Sequence, residues 1–266
     1  MPELPEVETI KKDLQKTVIG RKIIKVDIHD PRVIKEPISV VFRKTLEGRT
    51  IKNVLRRAKL LIFELSGRKF LTVHLKMTGQ LVYPGSSGKS RISFCLSGGK
   101  RLDFNDDRLF GELRLVSDWK KLKFVTSLGP EPFDLTFSDF RDMLSKKKTK
   151  IKPLLLDQSF ICGIGNLYAA EILFRSKINP QRPAANLTAV EQKALYTQIK
   201  SVLQDAIKHG GSSVDDYVRV SGEPGDYVRF HQVYGRVNKP CFVCKSPIKR
   251  IVLGGRGTYF CAGCQK

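Results

Sequence analysis

The chain has 266 residues, with 48 Lys and Arg against 26 Asp and Glu, a formal net charge of +22 and a hydrophobic share of 41%. That length fits two domains, or one large and one small, and the apolar share is enough for real cores. No apolar run reaches the ~18 residues of a membrane span and no basic-then-apolar leader opens the chain, so a membrane protein and a secreted, disulfide-stapled protein are both disfavoured.

The expectation is a reduced, cytoplasmic protein whose cationic excess meets polyphosphate, although charge alone serves RNA as well as DNA. MPELPEVE opens the chain. Pro5 suits the first turn of a helix, and Glu6 and Glu8 suit its positive end. Val7, Ile10, Leu14 and Val18 follow at helical spacing, and Gly20 offers a stop. Pro2 and Glu3 lie ahead of this helix, and local geometry does not explain them. From 21 to 117 the pattern is mostly strand. Ile24, Val26 and Ile28 alternate with polar residues, LLIFEL and FLTVHL are short β-rich runs, and ISFCL and KRLDF flank a hairpin at Ser97-Gly98-Gly99. Short strands behind one helix predict a β-sandwich. SLGPEPFD, residues 127–134, has the proline and glycine of a linker.

Beyond the linker the period changes from two to 3.6. Phe137-Ser138 opens a short helix that runs into KKKTKIK, which puts five lysines within 146–152. Such a run is commonly a solvated helix face. Gly163-Ile164-Gly165-Asn166 then precedes the apolar-periodic LYAAEILF. Asn166 suits an N-cap, and the turn presents amides and a dipole to an anion. Thr188 and Glu191 form a capping box for a helix carrying Val190, Leu195, Ile199, Val202 and Ile207, ended by Gly210. A loop rich in Gly, Ser and Asp follows, roughly 211–230.

The tail contains Cys241 and Cys244, sixteen residues, then Cys261 and Cys264. Two C-x2-C turns supply four thiolates to one tetrahedral ion, which predicts one structural Zn2+. Cys95 and Cys162 sit in apolar stretches and read as packing residues. Between the cysteine pairs, KRIVL-GGRG-TYF is a hairpin with Arg256 near its tip. That arginine is either a solvated turn residue or a cation held out toward phosphate. So small a tail buries little core, so the metal must supply its folding energy.

Taken in order, MPELPEVE, RRAK (56–59), HLKM (74–77), DDRLFGEL (106–113), LGPEP (128–132), KKKTKIKPLLLDQ (146–158), GIGNLYAAEILF (163–174), VYGR (233–236) and GRGTYFCAGCQK resemble the formamidopyrimidine-DNA glycosylase family from end to end. The resemblance implies an α+β fold: an N-terminal β-sandwich with a leading helix over 1–127, a linker at 128–134, a helical domain with a helix-two-turn-helix motif and a lesion-recognition loop over 135–235, and a zinc-ribbon-type hairpin over 236–266. It implies a monomeric bifunctional glycosylase and AP lyase acting on oxidised purines in damaged double-stranded DNA. With Met1 trimmed, Pro2 becomes a secondary amine able to attack sugar C1′, since an α-amino group titrates near ~8. Glu3 is the neighbouring acid/base. Lys59 matches the proton donor for β-elimination and Arg256 the donor for δ-elimination and a phosphate clamp. Lys147, Lys152 and Asn166 match DNA-backbone contacts, and Glu6 and Glu171 match carboxylates near the lesion pocket.

Met77, Arg108 and Phe110 match the side chains that fill the gap left by a flipped nucleotide. A thioether and a ring replace lost stacking while a guanidinium donates to the orphaned base. Taken alone, Met77 and Phe110 read more readily as core residues, since apolar side chains are usually buried. Lys89 stands where some members carry a DNA-contacting histidine, and Leu109 where others carry arginine. Two rival readings are an endonuclease VIII-like enzyme for oxidised pyrimidines and a non-catalytic zinc-ribbon binder. The MPELPEVE start, together with Met77, Arg108 and Phe110, favours the purine enzyme over the first, and a ribbon needs no free proline terminus.

Overall fold

The computed structural model describes residues 1–85, 88 and 90–266, which divide into two units: residues 1–126 with 207–228, and residues 127–206 with 229–266. Lys89 lies outside the described residues. The segment 207–228, which the sequence groups with the helical part, belongs to the first unit. Among the described residues, no helix is long and apolar enough to cross a membrane.

In the first unit, α1 (Leu4–Thr17) has proline in its first turn and buries Leu4, Val7, Ile10 and Leu14. It stops earlier than Gly20 implied: Val18 N–H makes the last i→i−4 bond, onto Leu14 O at 2.9 Å, and Gly20 N–H turns instead to Ile51 O at 2.9 Å. Strands β1 (Ile23–Ile28) and β2 (Ile34–Glu36), helix α2 (Ser39–Leu46), strands β3 (Ile51–Arg57), β4 (Leu60–Leu65), β5 (Lys69–His74), β6 (Gln80–Val82), β7 (Ser90–Leu96), β8 (Arg101–Asn105) and β9 (Glu112–Val116), and the short α3 (Lys123–Thr126) follow. They build a four-stranded sheet of order β1-β7-β8-β6 and a five-stranded sheet of order β2-β9-β5-β4-β3. Val26, Ile92, Phe94 and Phe104 of one sheet share a core with Val54, Phe63, Val73 and Leu113 of the other and with Val7, Ile10 and Leu14 of α1. This is the expected sandwich with its leading helix.

Strand β1 departs from the alternation its sequence suggests. A register shift between Ile23 and Lys25 leaves Ile24 55% exposed while Ile23 and Val26 are buried. A bulge adds one residue to one side of a ladder and resets the period, which alternation alone does not reveal. Cys95, on the neighbouring strand, also departs from the packing reading. It is half-buried, with its sulfur 3.8 Å from Asp27 Oδ2.

The second unit holds α4 (Phe137–Ser145), α5 (Ile151–Leu156), α6 (Asn166–Arg175), most of α7 (Ala189–Lys208), and the hairpin β10 (Lys249–Leu253) and β11 (Arg256–Phe260). Thr136 caps α4, accepting from Asp139 N–H at 3.2 Å. The helix ends at Ser145, so Lys146, Lys147, Lys148 and Lys150 lie in the loop between α4 and α5 rather than on a helix face, while Lys152 is buried within α5. Residues 157–165 join α5 to α6 through two consecutive turns, giving the helix-two-turn-helix element. The apparent linker is packed rather than loose: Gly129 N–H reaches Gln158 O at 2.8 Å, and Cys162 N–H reaches Pro130 O at 3.1 Å. The Thr188–Glu191 capping box starts α7 as expected, and Gly210 follows it at φ +74°. Val190 is the exception to that helix's apolar stripe, 80% exposed in the first turn.

Candidate active site

The head of α1 is a buried polar structure. Pro2, Glu3 and Glu6 are all buried. Glu3 is the N-cap, and Glu3 and Glu6 form a reciprocal capping box in which Glu3 N–H donates to Glu6 Oε2 at 2.8 Å. Helix N-termini leave orphan donors, and two carboxylates three residues apart satisfy them. The other oxygen of Glu6, Oε1, accepts Ser212 N–H at 2.9 Å, so the 207–228 segment is tied to the residues around Pro2. Arg219 extends that tie, donating to Asp13 of α1 at 2.9 and 3.2 Å. Tyr83 N–H donates to Val220 O at 2.8 Å.

Lys59 sits in the two-residue turn between β3 and β4, only 8% exposed, beside Ala58 at φ +50°. A non-glycine residue in the left-handed region costs roughly 1–2 kcal/mol, which marks the turn as held by its surroundings. Arg56 does the holding: its Nη1 donates to Ala58 O at 2.9 Å and its Nε to Glu8 Oε2 at 2.8 Å. Burial works against charge on Glu8, but hydrogen bonds from Lys11 and Arg56 outweigh it and keep the carboxyl below its usual range. This ion pair therefore fixes the Lys59 turn to the helix that carries Glu3.

Met77 and Phe110 are 41% and 49% exposed, so neither is a core residue. Arg108 is exposed, and its guanidinium lies over the Phe110 ring at 4.7 Å.

On the second unit, Lys152 is 1% exposed and its ammonium donates to Asn166 Oδ1 at 2.7 Å, Thr258 Oγ1 at 2.7 Å and Gly257 O at 3.2 Å. Asn166 Nδ2 donates to the same Gly257 carbonyl at 3.0 Å. The N-cap of α6 is Gly165 rather than Asn166, whose side chain reaches the hairpin instead of its own helix. Arg256 opens β11 immediately after a Gly254-Gly255 turn with both φ values positive, and it is exposed. Only glycine adopts that tight hairpin turn without strain. Lys147 is half-buried, with its ammonium 5.9 Å from the Phe160 ring centre. Glu171 is fully buried and accepts three backbone N–H groups, from Gln232, Val233 and Tyr234, at 2.8–3.0 Å. Burial raises its pKa against the pull of those amides.

Cys241, Cys244, Cys261 and Cys264 bring their sulfurs within 4.8 Å of one another. Zinc–sulfur bonds of about 2.3 Å put tetrahedral sulfurs about 3.8 Å apart, and the Cys241–Cys264 and Cys244–Cys261 separations are 3.9 and 3.3 Å. The donor set and its spacing fit one structural zinc ion. Cys241 and Cys261 also join Ala170 and Phe174 of α6 in an apolar cluster with Val233 and Ile248.

Residues 1–113 match the model of the formamidopyrimidine-DNA glycosylase N-terminal domain, 128–218 that of the formamidopyrimidine-DNA glycosylase H2TH domain, and 238–266 that of a zinc finger found in FPG and IleRS. The chain belongs to the formamidopyrimidine-DNA glycosylase family. It is 43% identical over 274 residues to the formamidopyrimidine-DNA glycosylase of Pelotomaculum thermopropionicum, covering 100% of this chain and 99% of that protein. Its fold is similar to the crystal structure of the MutM (FPG) protein of Thermus thermophilus, with a TM-score of 0.89, 39% identity, and 99% and 98% of the two chains covered. It is also similar to Lactococcus lactis Fpg in complex with DNA containing an abasic site, with a TM-score of 0.91, 35% identity, and 99% of each chain covered.

Within this glycosylase fold, sequence reasoning missed His74. It pairs with Leu60 beside the Lys59 turn, and its Nδ1 accepts Lys76 N–H at 3.1 Å. Burial, then the positive charge of Lys76, pushes the imidazole down to about 3, so it is neutral at working pH. The HLKM motif contained it, but one histidine in an apolar strand gives no signal without the neighbouring hairpin. Arg56 and Glu8 were missed for the same reason: their pairing joins positions 48 residues apart.

Proposed function

We propose that this formamidopyrimidine-DNA glycosylase removes oxidised purines, 8-oxoguanine and formamidopyrimidines, from duplex DNA and then cleaves the abasic strand by β,δ-elimination. The protein acts as a monomer in the cytoplasm, with one structural zinc. The observation that carries the reading is the head of α1, where buried Pro2 and Glu3 are locked by Glu6 and the Lys59 turn is fixed to the same helix by Arg56 and Glu8. A helix lead-in accounts for the Glu3–Glu6 capping box but not for the burial of Pro2 or the bracing of the Lys59 turn.

With Met1 removed, the lone pair of the Pro2 nitrogen attacks C1′ while the glycosidic bond breaks and the base leaves protonated. Glu3 serves as the proton carrier for base departure and sugar opening. Because Pro2 is a secondary amine, the opened sugar is a cationic iminium, which accepts the electron pair released when a C2′ proton leaves. The C3′–O bond then breaks, with Lys59 donating its proton to the leaving phosphate. A second proton loss, at C4′, breaks the C5′–O bond with Arg256 as donor. Lys147 contacts phosphate directly. Lys152 and Asn166 act on the backbone through the hairpin they clamp, and Lys89 is a further phosphate contact. Glu6 and Glu171 are the carboxylates assigned to the lesion's surroundings, each fixing backbone amides within its own unit. Met77, Arg108 and Phe110 fill the gap left by the flipped nucleotide.

Borohydride trapping tests the chemistry. Protein beginning at Pro2 should be captured covalently on duplex containing 8-oxoguanine, and peptide mapping should place the adduct on the Pro2 nitrogen. Protein retaining Met1 holds that nitrogen in an amide and should lose both cleavage and trapping. Equal trapping of the Met1 form would make a lysine the nucleophile instead.

A further inference from the structure

Asp106 is fully buried beneath the two turns that carry the proposed gap-filling side chains. The first turn, residues 75–79, is closed by Gly79 N–H on Leu75 O at 3.0 Å and carries Met77. The second, residues 106–111, carries Arg108 and Phe110, with Leu109 between them at φ +58°. One carboxylate reaches both turns. Its Oδ1 accepts the Thr78 hydroxyl and the Arg108 N–H, the latter at 3.3 Å, and its Oδ2 accepts Gly111 N–H at 2.6 Å. Thr78 Oγ1 also lies 3.3 Å from the Arg108 amide, closing a triangle between the turns. Asp106 is itself held from β7, its carbonyl accepting Arg91 Nε at 2.9 Å. Gly111 is packed with no slack: a Cβ there would fall 2.5 Å from Phe104 and 2.9 Å from Asp106 Oδ2.

We infer that Asp106 is a positioning residue that sets the Met77 turn and the Arg108–Phe110 loop in register with each other, so that opposite-base selectivity depends on a buried carboxylate. The inference rests on the reading of those three side chains as gap fillers. Its physical basis is separate. Neither turn has a ladder of its own, and two turns free to move independently would lose more freedom on entering a duplex than two already joined. A buried carboxylate accepting several N–H and O–H donors is a strong joint, because removing it strands each donor out of water.

The test uses Thr78, whose hydroxyl carries the first turn's bond to the carboxylate. Thr78→Val should break the joint while leaving the Gly111 and Arg108 bonds to Asp106, and Thr78→Ser should restore it. In free protein, the Arg108 amide should exchange with solvent roughly tenfold faster in the valine variant and near the parent rate in the serine variant. Single-turnover excision of 8-oxoguanine should then lose several-fold of its preference for opposing cytosine over adenine in Thr78→Val only. Asp106→Asn should shift both readouts in the same direction, since the amide nitrogen cannot accept an N–H and, whichever way the amide turns, either Gly111 or the Thr78–Arg108 side loses its acceptor. Arg108→Ala is the control for the underlying reading. If amide exchange responds but Arg108→Ala leaves the cytosine-to-adenine ratio unchanged, the gap-filling role falls and the joint stands. Unchanged Arg108 exchange in Thr78→Val, or equal rate loss opposite both bases with no rescue by serine, overturns the inference.

Discussion

At the scale of single residues, two side chains near the head of α1 and the Lys59 turn carry opposite demands. In the proposed reaction Glu3 moves protons, while its backbone N–H is clamped by Glu6 and it caps α1. Clamping the backbone leaves the carboxylate's chemistry to be set by its surroundings. Glu3→Gln keeps the cap's shape and hydrogen-bonding oxygen while removing the proton carrier. It should retain duplex binding and activity on a preformed abasic site but lose base excision by roughly 10²–10⁴-fold, measured under single turnover. His74 is instead held from charging. Its imidazole is held down to about 3 by burial and by Lys76, against an ordinary value of 6.5, and His231 is held down to about 4 by burial. Below pH 6.5 the unfolded chain binds these protons and the folded protein does not. Their contribution is therefore complete above pH 6.5 and is lost as pH falls toward 3. Each histidine can steepen that loss by up to about 1.4 kcal/mol per pH unit. Denaturant melts between pH 6.5 and 4.5 should show stability falling, and His74→Gln should flatten the slope. An unchanged slope would mean that His74 titrates normally.

At the scale of elements, the hairpin β10–β11 shows why the zinc matters beyond its own loop. Few of its residues are buried, and the apolar cluster it shares with α6 includes Cys241 and Cys261 themselves beside Ile248 and Tyr259. Lys152 and Asn166 then grip the strand after the turn, at Gly257 and Thr258. Structural zinc contributes on the order of 10 kcal/mol to folding such a unit, far more than so small a cluster supplies. Cys244→Ser should release the ion and free the hairpin, leaving a buried Lys152 ammonium with fewer partners. Tight DNA binding should be lost while the sandwich keeps its near-ultraviolet signature. Less than half an equivalent of zinc in the purified parent protein would contradict the premise.

At the scale of the whole molecule, charge sets the conditions under which the site is reached. A net +22 is not localised in one motif, and the lysines of 146–150 occupy a loop where several ammonium groups are exposed. Neutralising phosphates releases counterions, so log K for undamaged duplex should fall linearly with log salt at about −0.9 per phosphate contacted. Replacing Lys147 with alanine should make that slope shallower by about one contact, with binding weakened equally on damaged and undamaged DNA. A loss confined to damaged DNA would place Lys147 in lesion recognition instead.

The sequence by itself determined the sandwich with its leading helix, the capped α7, the zinc ligands and the family, because each rests on short-range patterns: alternation, capping spacing and C-x2-C turns. It also singled out Pro2 and Glu3, since no local role accounted for them. Tertiary structure decided the rest. Whether Asn166 caps its own helix or reaches Gly257 depends on a hairpin 91 residues away. The 207–228 segment joins the first unit through Glu6 and Asp13, partners 206 residues distant, for which no local pattern exists. The exposure of Met77 and Phe110, apolar in sequence and suited to a core, was settled only by the two turns that carry them, both bonded to the buried Asp106. Periodicity records which face of an element is apolar; it carries no information about which distant partner a polar atom meets.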